Sequence, residues 1–180
     1  MASMLRTSAE IQHVTAIPAG IPAAKAIKLL HDHAFFLSCD PHMIKFEVLP
    51  TPTDPAPTIP EEREVEPIAP AKVYSVTDRL HTLPAGLWDS DVVSTCEYFN
   101  LENGLFVRLQ SPLSVVMETV WLITEAEDGS CELFEDVVIK CSRFLIGIVK
   151  GTCESGWNDV HGKIIEKMKE PRVTLATSGE

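Results

Sequence analysis

The sequence predicts a single α+β domain in which a curved antiparallel sheet wraps around one C-terminal helix. Two observations carry this expectation. Five segments of strand character follow one another between Lys72 and Cys141, separated by short turn signals with no helical stretch among them. Directly after them, Trp157, Val160, His161, Ile164, Ile165 and Met168 recur at helical spacing, an apolar stripe that a sheet must cover.

In chain order, Ile11, His13, Thr15 and Ile17 alternate with Gln12, Val14 and Ala16, which predicts a first strand over Ser8 to Ile17. Pro18 and Gly20 end it. Pro22 suits the first position of a helix that runs through Ala26, Ile27, Leu29 and Leu30 to about His33. Ala34 to Cys39 offers a second short helix before Asp40-Pro41 turns the chain, and Ile44, Phe46 and Val48 alternate as strand two. Between Pro50 and Pro70 lie seven of the thirteen prolines, with Glu61, Glu62, Glu64 and Glu66 among them. Such a segment cannot pair as a central strand; it is expected to be an exposed loop within the domain, over about 50–70. The next strands are Lys72–Thr82, Val92–Leu101, Leu105–Gln110, Val115–Thr124 and Cys131–Cys141, and Pro84-Ala85-Gly86, Asn103-Gly104, Ser111-Pro112 and Asp128-Gly129 punctuate them. The closing helix is expected over Gly151 to Lys169, with a short disordered tail after about 171.

The last hairpin can be registered from its side chains. A three-residue turn at Glu127-Asp128-Gly129, with Gly129 left-handed, puts Met117, Thr119, Trp121 and Ile123 on the same face as Ile139, Val137, Glu135 and Leu133. A two-residue turn would mix the faces. The preferred register leaves Glu135 on the apolar face opposite Trp121, where an unpaired carboxylate is heavily penalised and must be neutral, paired or solvated in a cavity. That is the profile of a general acid or base. The alternatives are a bulge that turns Glu135 outward or a basic side chain that pairs with it.

Composition narrows the functional classes. With 180 residues, 45% of them hydrophobic, the chain can bury one sizeable core. A net charge of −11 and a pI near 4.9 oppose nucleic-acid binding. No stretch approaches the roughly 18 apolar residues that cross a bilayer, and the first ten residues lack an apolar signal core, so a cytoplasmic protein without membrane insertion is expected. The five cysteines, Cys39, Cys96, Cys131, Cys141 and Cys153, are odd in number and form no Cys-x-x-Cys pair, which fits buried reduced thiols. His31, Asp32, His33, Asp40 and His42 are metal-ligand types, but two residues apart on a helix end His31 and His33 point in different directions, and no metal site is assigned. Phosphate-loop, nucleophile and dinucleotide fingerprints are absent, and no cofactor is expected.

The element order, the N-terminal strand leading into Ile21-Pro22-Ala23-Ala24-Lys25, and the closing segment Gly151–Lys169 resemble the helix-grip fold of the START and polyketide-cyclase superfamily. The stretches His31-Asp32-His33, Pro41-His42 and Leu83-Pro84-Ala85-Gly86-Leu87-Trp88-Asp89 are similar to a small fungal family of unknown function within it. The resemblance implies a seven-stranded curved sheet gripping the terminal helix, with a ligand cavity between them. It carries no catalytic residues to transfer. It implies a hydrophobic small molecule as partner and two functions. One is a cofactor-free cyclase or isomerase acting on a polyketide-like or terpenoid intermediate; the other is a non-catalytic carrier of a lipid, sterol or other apolar metabolite. A monomer or homodimer is expected.

Within that frame Glu135 and His161 are the candidate catalytic residues. His161 shares the stripe of Trp157 and Ile164, where it either moves a proton near neutral pH or bonds a neighbouring carbonyl. The candidate ligand-binding residues are Trp121, Trp157, Arg79, His81, Tyr98 and Arg108. Arg79 and His81 end the third strand, where a guanidinium can recognise a polar head, or Arg79 forms a surface ion pair with the adjacent Asp78. Tyr98 and Arg108 are expected to face one another across the Asn103-Gly104 hairpin, either on the outer face or in the cavity.

Overall fold

A computed structural model of the chain describes residues 6–81 and 89–171. The elements are β1 (Arg6–Ile17), α1 (Ala23–Leu30), α2 (His33–Ser38), β2 (Met43–Leu49), β3 (Lys72–His81), β4 (Asp89–Leu101), β5 (Gly104–Ser111), β6 (Val115–Glu125), β7 (Cys131–Ser142) and α3 (Ile146–Lys169). The seven strands form one sheet in the order β1-β7-β6-β5-β4-β3-β2, antiparallel throughout. The meander β2 to β7 is built from consecutive neighbours, and β1 pairs with β7 because the two short helices carry the chain from one sheet edge to the other. This is the helix-grip fold. The residues 82–88 and the tail from 172 lie outside the described residues, so the Pro84–Trp88 loop and the expected disorder of the tail are not seen.

The β6–β7 hairpin has the register that the side chains dictate: Trp121 opposite Glu135, Thr119 opposite Val137, Met117 opposite Ile139 and Ile123 opposite Leu133. Gly129 takes φ +79° and donates to the Ala126 carbonyl at 2.9 Å, which closes the turn and holds this alternation. The β4–β5 hairpin differs by one residue from expectation. Leu101 pairs with Gly104 around Glu102-Asn103, so Arg108 opposes Glu97 and Tyr98 opposes Val107. With a side-chain period of two, this slip sends Tyr98 and Arg108 to opposite faces. Gly104 is required here because a Cβ would collide with the Trp121 carbonyl on β6.

α3 begins five residues before the expected Gly151 and serves two purposes along its length. Its C-terminal half buries His161, Ile164, Ile165 and Met168 against Ala26, Leu30, Leu105, Trp121 and Leu133, closing one end of the grip. Its N-terminal half rests Ile146, Val149 and Cys153 on Ile11, Val137, Ile139 and Cys141 at the β1–β7 side of the sheet.

The Pro-rich stretch differs from a free solvated insertion. Most of its residues are exposed, yet Ile59 and Val65 pack on Ala71, Phe99, Leu101, Phe106 and Val120, a second small core on the outer face of the sheet. Arg63 Nη2 donates to the Asp136 carbonyl (2.9 Å) and Oδ2 (2.8 Å), and Ile68 N–H donates to the Asn100 carbonyl (2.9 Å). The near-continuous apolar runs Tyr98-Phe99 and Leu105-Phe106-Val107 are the mark of strands covered on both faces.

Candidate functional site

Between α3 and the inner face of the sheet lies a cavity of about 530 Å³. Its walls are largely apolar, with Val76, Leu109, Met117, Trp121 and Val137 from the sheet and Val149, Trp157 and Val160 from the helix. Cys96 and Cys153 line it too, and burial pushes both thiols up to about 12, so neither is a ready nucleophile. A site of this size and lining suits an apolar small molecule.

One polar cluster breaks the apolar wall. Glu135 on β7 points inward and is 9% exposed. Its Oε2 lies 2.7 Å from Nδ1 of His13, which stands directly opposite on β1, and 3.3 Å from Nε2 of the buried His161 on α3. Nδ1 of His161 in turn lies 2.7 Å from the Thr15 hydroxyl. With Glu135 ionised, both imidazoles donate to it and Thr15 donates to His161. His13 is held by a stack on Trp157, with ring centroids 4.4 Å apart and planes 11° apart, and His161 makes an edge contact with the same indole at 5.2 Å. Glu135 and His13 line the cavity; His161 stands behind them. Among the described residues both hydrogen bonds to Glu135 fall on Oε2, and none on Oε1. The arrangement can accept a proton from a bound molecule and return it, with two imidazoles to take up the change in charge.

A second polar region lies at the other end of the cavity, where Asp78 on β3, the Ser94–Ser111 hydroxyl pair (3.1 Å), Asp40 and His42 meet. Burial, with the charge of Asp40 as a lesser cause, pushes the Asp78 carboxyl up to about 6. Its Oδ1 is out of reach of water and has no hydrogen-bond partner among the described residues.

The structure thus brings Glu135, Trp121, Trp157 and Tyr98 around one space, with His161 bonded to Glu135 behind the wall. It moves the two arginines elsewhere. Arg108 lies on the outer face, bonded to Glu97 (2.9 Å), Glu118 (3.3 Å) and the Thr58 carbonyl (2.8 Å), where it pins the Pro-rich segment instead of meeting a ligand. Arg79 is exposed on the outer face and pairs through two nitrogens with Asp91, its cross-strand neighbour, at 2.9 and 3.2 Å. His81 ends β3, and its side chain lies outside the described residues.

His31 and His33 are structural clamps. His31 Nε2 donates to the carbonyls of Leu101 (3.1 Å) and Gly104 (2.8 Å), and His33 joins the Tyr74 hydroxyl (2.9 Å) to the Asn100 side chain (2.8 Å), with burial lowering its basicity. Among the described residues no group of three or more His, Cys, Asp or Glu is placed to hold a metal ion.

Three site residues escaped sequence reasoning: His13, Thr15 and Asp78. The first two were visible in the alternation Ile11, His13, Thr15, Ile17, which puts them on the buried face of β1. What was missing was the pairing of β1 with β7, two strands separated by more than a hundred residues.

Fold and cavity together define a helix-grip protein, a curved sheet gripping a helix over a ligand-sized space. The chain belongs to the family described as a domain of unknown function, DUF7053, which matches residues 6–170. Among solved structures it is similar to the Zhui aromatase/cyclase from Streptomyces sp. R1128 (TM-score 0.62, 11% identity, covering 97% of this chain and 100% of that one). It is also similar to a truncated norcoclaurine synthase from Thalictrum flavum (TM-score 0.60, 12% identity, 93% and 98% covered) and to human STARD10 (0.54, 14%, 88% and 62%). At these identities the likeness is one of fold. A search of the curated proteins by sequence finds no significant match. Among the described residues no helix is long and apolar enough to cross a membrane.

Proposed function

We propose that the protein is a cyclase- or isomerase-type enzyme that holds an apolar polyketide-like or terpenoid intermediate in the cavity and moves a proton with Glu135. The observation that carries this reading is the sharing of Glu135 Oε2 by two imidazoles at the wall of an otherwise apolar cavity. A passive container has little use for an inward carboxylate on which His13 and His161 converge, with Thr15 holding His161 from behind. In this reading the apolar walls hold a flexible substrate in a reactive fold, which supplies proximity and orientation. Glu135 takes a proton through Oε1, His13 and His161 stabilise each protonation state from the Oε2 side, and the proton returns to a second atom of the same substrate. No atom leaves and no electron is exchanged.

A second reading, non-catalytic carriage of a hydrophobic metabolite, is favoured by the mouth of the cavity. Leu113 and Ile148 line it, yet they are 75% and 67% exposed, and Leu113 holds a left-handed φ of 62° that keeps it there. Apolar side chains at a mouth help an insoluble ligand to pass.

The experiment that separates the two compares the small molecules retained by wild type and by Glu135→Gln after expression in the native host. An enzyme is expected to yield two different compounds, the variant holding the unconverted isomer. The same compound from both proteins would favour carriage and remove Glu135 from the chemistry.

A further inference from the structure

The Glu135 cluster leaves the opposite end of the cavity without a role, and that end carries its own unsolved polar group. Asp78 sits on the inner face of β3, paired with Val92 of β4, four strands away from Glu135 in the sheet order. It is also displaced along the strands: through the pairs Glu135–Trp121, Trp121–Leu105 and Leu105–Asn100, Glu135 stands level with the start of β3, whereas Asp78 lies towards the end of that strand. The two carboxylates therefore address different parts of one molecule.

Among the described residues Asp78 makes no ion pair with a lysine or arginine, His42 is the basic group whose charge reaches it, and its sealed Oδ1 lacks a hydrogen-bond partner. Buried carboxylates are usually satisfied, and an exception on a cavity wall marks a place where something else completes the bonding. Oδ1 is closed to the cavity, but Asp78 as a whole lines it and is only partly buried, and a carboxylate accepts, so what a cavity molecule can offer its other oxygen is a donor. The groups that face it are Asp40, His42, the Ser94 and Ser111 hydroxyls and the Cys96 thiol. Asp40 adds a second negative charge at the mouth, His42 offsets part of it, and the chain as a whole carries −11. This field repels carboxylates and phosphates and favours a cation over a neutral hydroxyl, because a charge-assisted bond to a carboxylate is about twice as strong as a neutral one.

We propose that the cavity takes an elongated apolar molecule bearing a protonated amine, with the amine seated on Asp78 and the apolar body extending towards Glu135. This deepens the ligand-cavity reading and rests on it. The burial that raises Asp78 towards neutrality works against an empty site, and an ammonium partner reverses that tendency.

Isothermal titration calorimetry at pH 7.5 with dodecylamine, dodecanol and dodecanoate tests it on wild type, Asp78→Asn and Glu135→Gln. In wild type the amine is expected to bind at least about tenfold more tightly than the alcohol, and the carboxylate more weakly than both. Asp78→Asn is expected to bring the amine to within about threefold of the alcohol with the alcohol unchanged, whereas Glu135→Gln keeps the amine preference. Equal binding of amine and alcohol in wild type, or loss of the preference in Glu135→Gln instead of Asp78→Asn, overturns the proposal while leaving the cavity reading intact. Failure of all three probes to bind overturns both. If Asp78→Asn does not fold, the wild-type ranking and the Glu135→Gln arm decide.

Discussion

Asp78 makes a quantitative prediction about stability that needs no ligand. Its carboxyl rises from the usual 3.8 to about 6 on folding, chiefly through burial. The folded state therefore binds a proton that the unfolded chain has released throughout the interval between those values. By linkage, the contribution of Asp78 is fully present below about pH 4 and is lost as pH rises through about 6. The full difference of about 2 units corresponds to about 3 kcal/mol at about 1.4 kcal/mol per unit. Partial solvation of the side chain reduces this, and about 1–2 kcal/mol is the reasonable expectation. Asp78→Asn cannot ionise, so it should be more stable than wild type by that amount at pH 7.5 and no more stable at pH 4. Urea unfolding of both proteins across this range gives the difference directly, and titrations common to both cancel. Asp40 and His42 are the charged groups that face Asp78. If Asp78→Asn is less stable than wild type at pH 7.5, or if the difference is flat with pH, the carboxylate is satisfied in the folded protein and the reasoning fails.

Three further outcomes follow from the packing. Trp157→Ala removes a half-buried indole that lines the cavity and stacks on His13, so dodecanol binding should weaken by about tenfold with a thermal midpoint within a few degrees of wild type; unfolding instead would make the indole part of the core. Ile164→Ala opens a void at a fully buried position on α3 and should destabilise the protein by about 2–5 kcal/mol in urea unfolding, with a smaller loss if the site collapses. Arg63→Ala breaks two bonds to Asp136 from a side chain that is only 7% exposed, so cleavage after Glu61, Glu62, Glu64 or Glu66 by a glutamate-specific protease should accelerate by about tenfold or more. An unchanged cleavage rate would show that Ile59 and Val65 hold the segment without the arginine.

Local pattern determined much of this protein. The alternation of the strands, the punctuation between them and the 3.6-residue stripe of α3 specify a sheet around a helix, because each period records which face is buried. The register of the last hairpin also follows locally: Gly129 admits the left-handed turn, and apolar side chains on both strands then select one face. That is how Glu135 could be placed inward from the sequence alone.

Tertiary structure decided everything that depends on distant partners. One residue at the β4–β5 turn sends Arg108 to the outer face and Tyr98 to the cavity, and turn residues that allow either loop length do not encode the choice. The outer face of β4–β6 is covered by the Pro-rich segment, a contact made through Ile59, Val65 and Arg63, which composition alone reads as solvated. The site itself joins His13 of the first strand, Glu135 of the last and His161 of the closing helix, so its chemistry exists only once the sheet has brought β1 against β7. Periodicity reports the face a side chain occupies; which other side chain it meets there is settled by the closure of the whole sheet around α3.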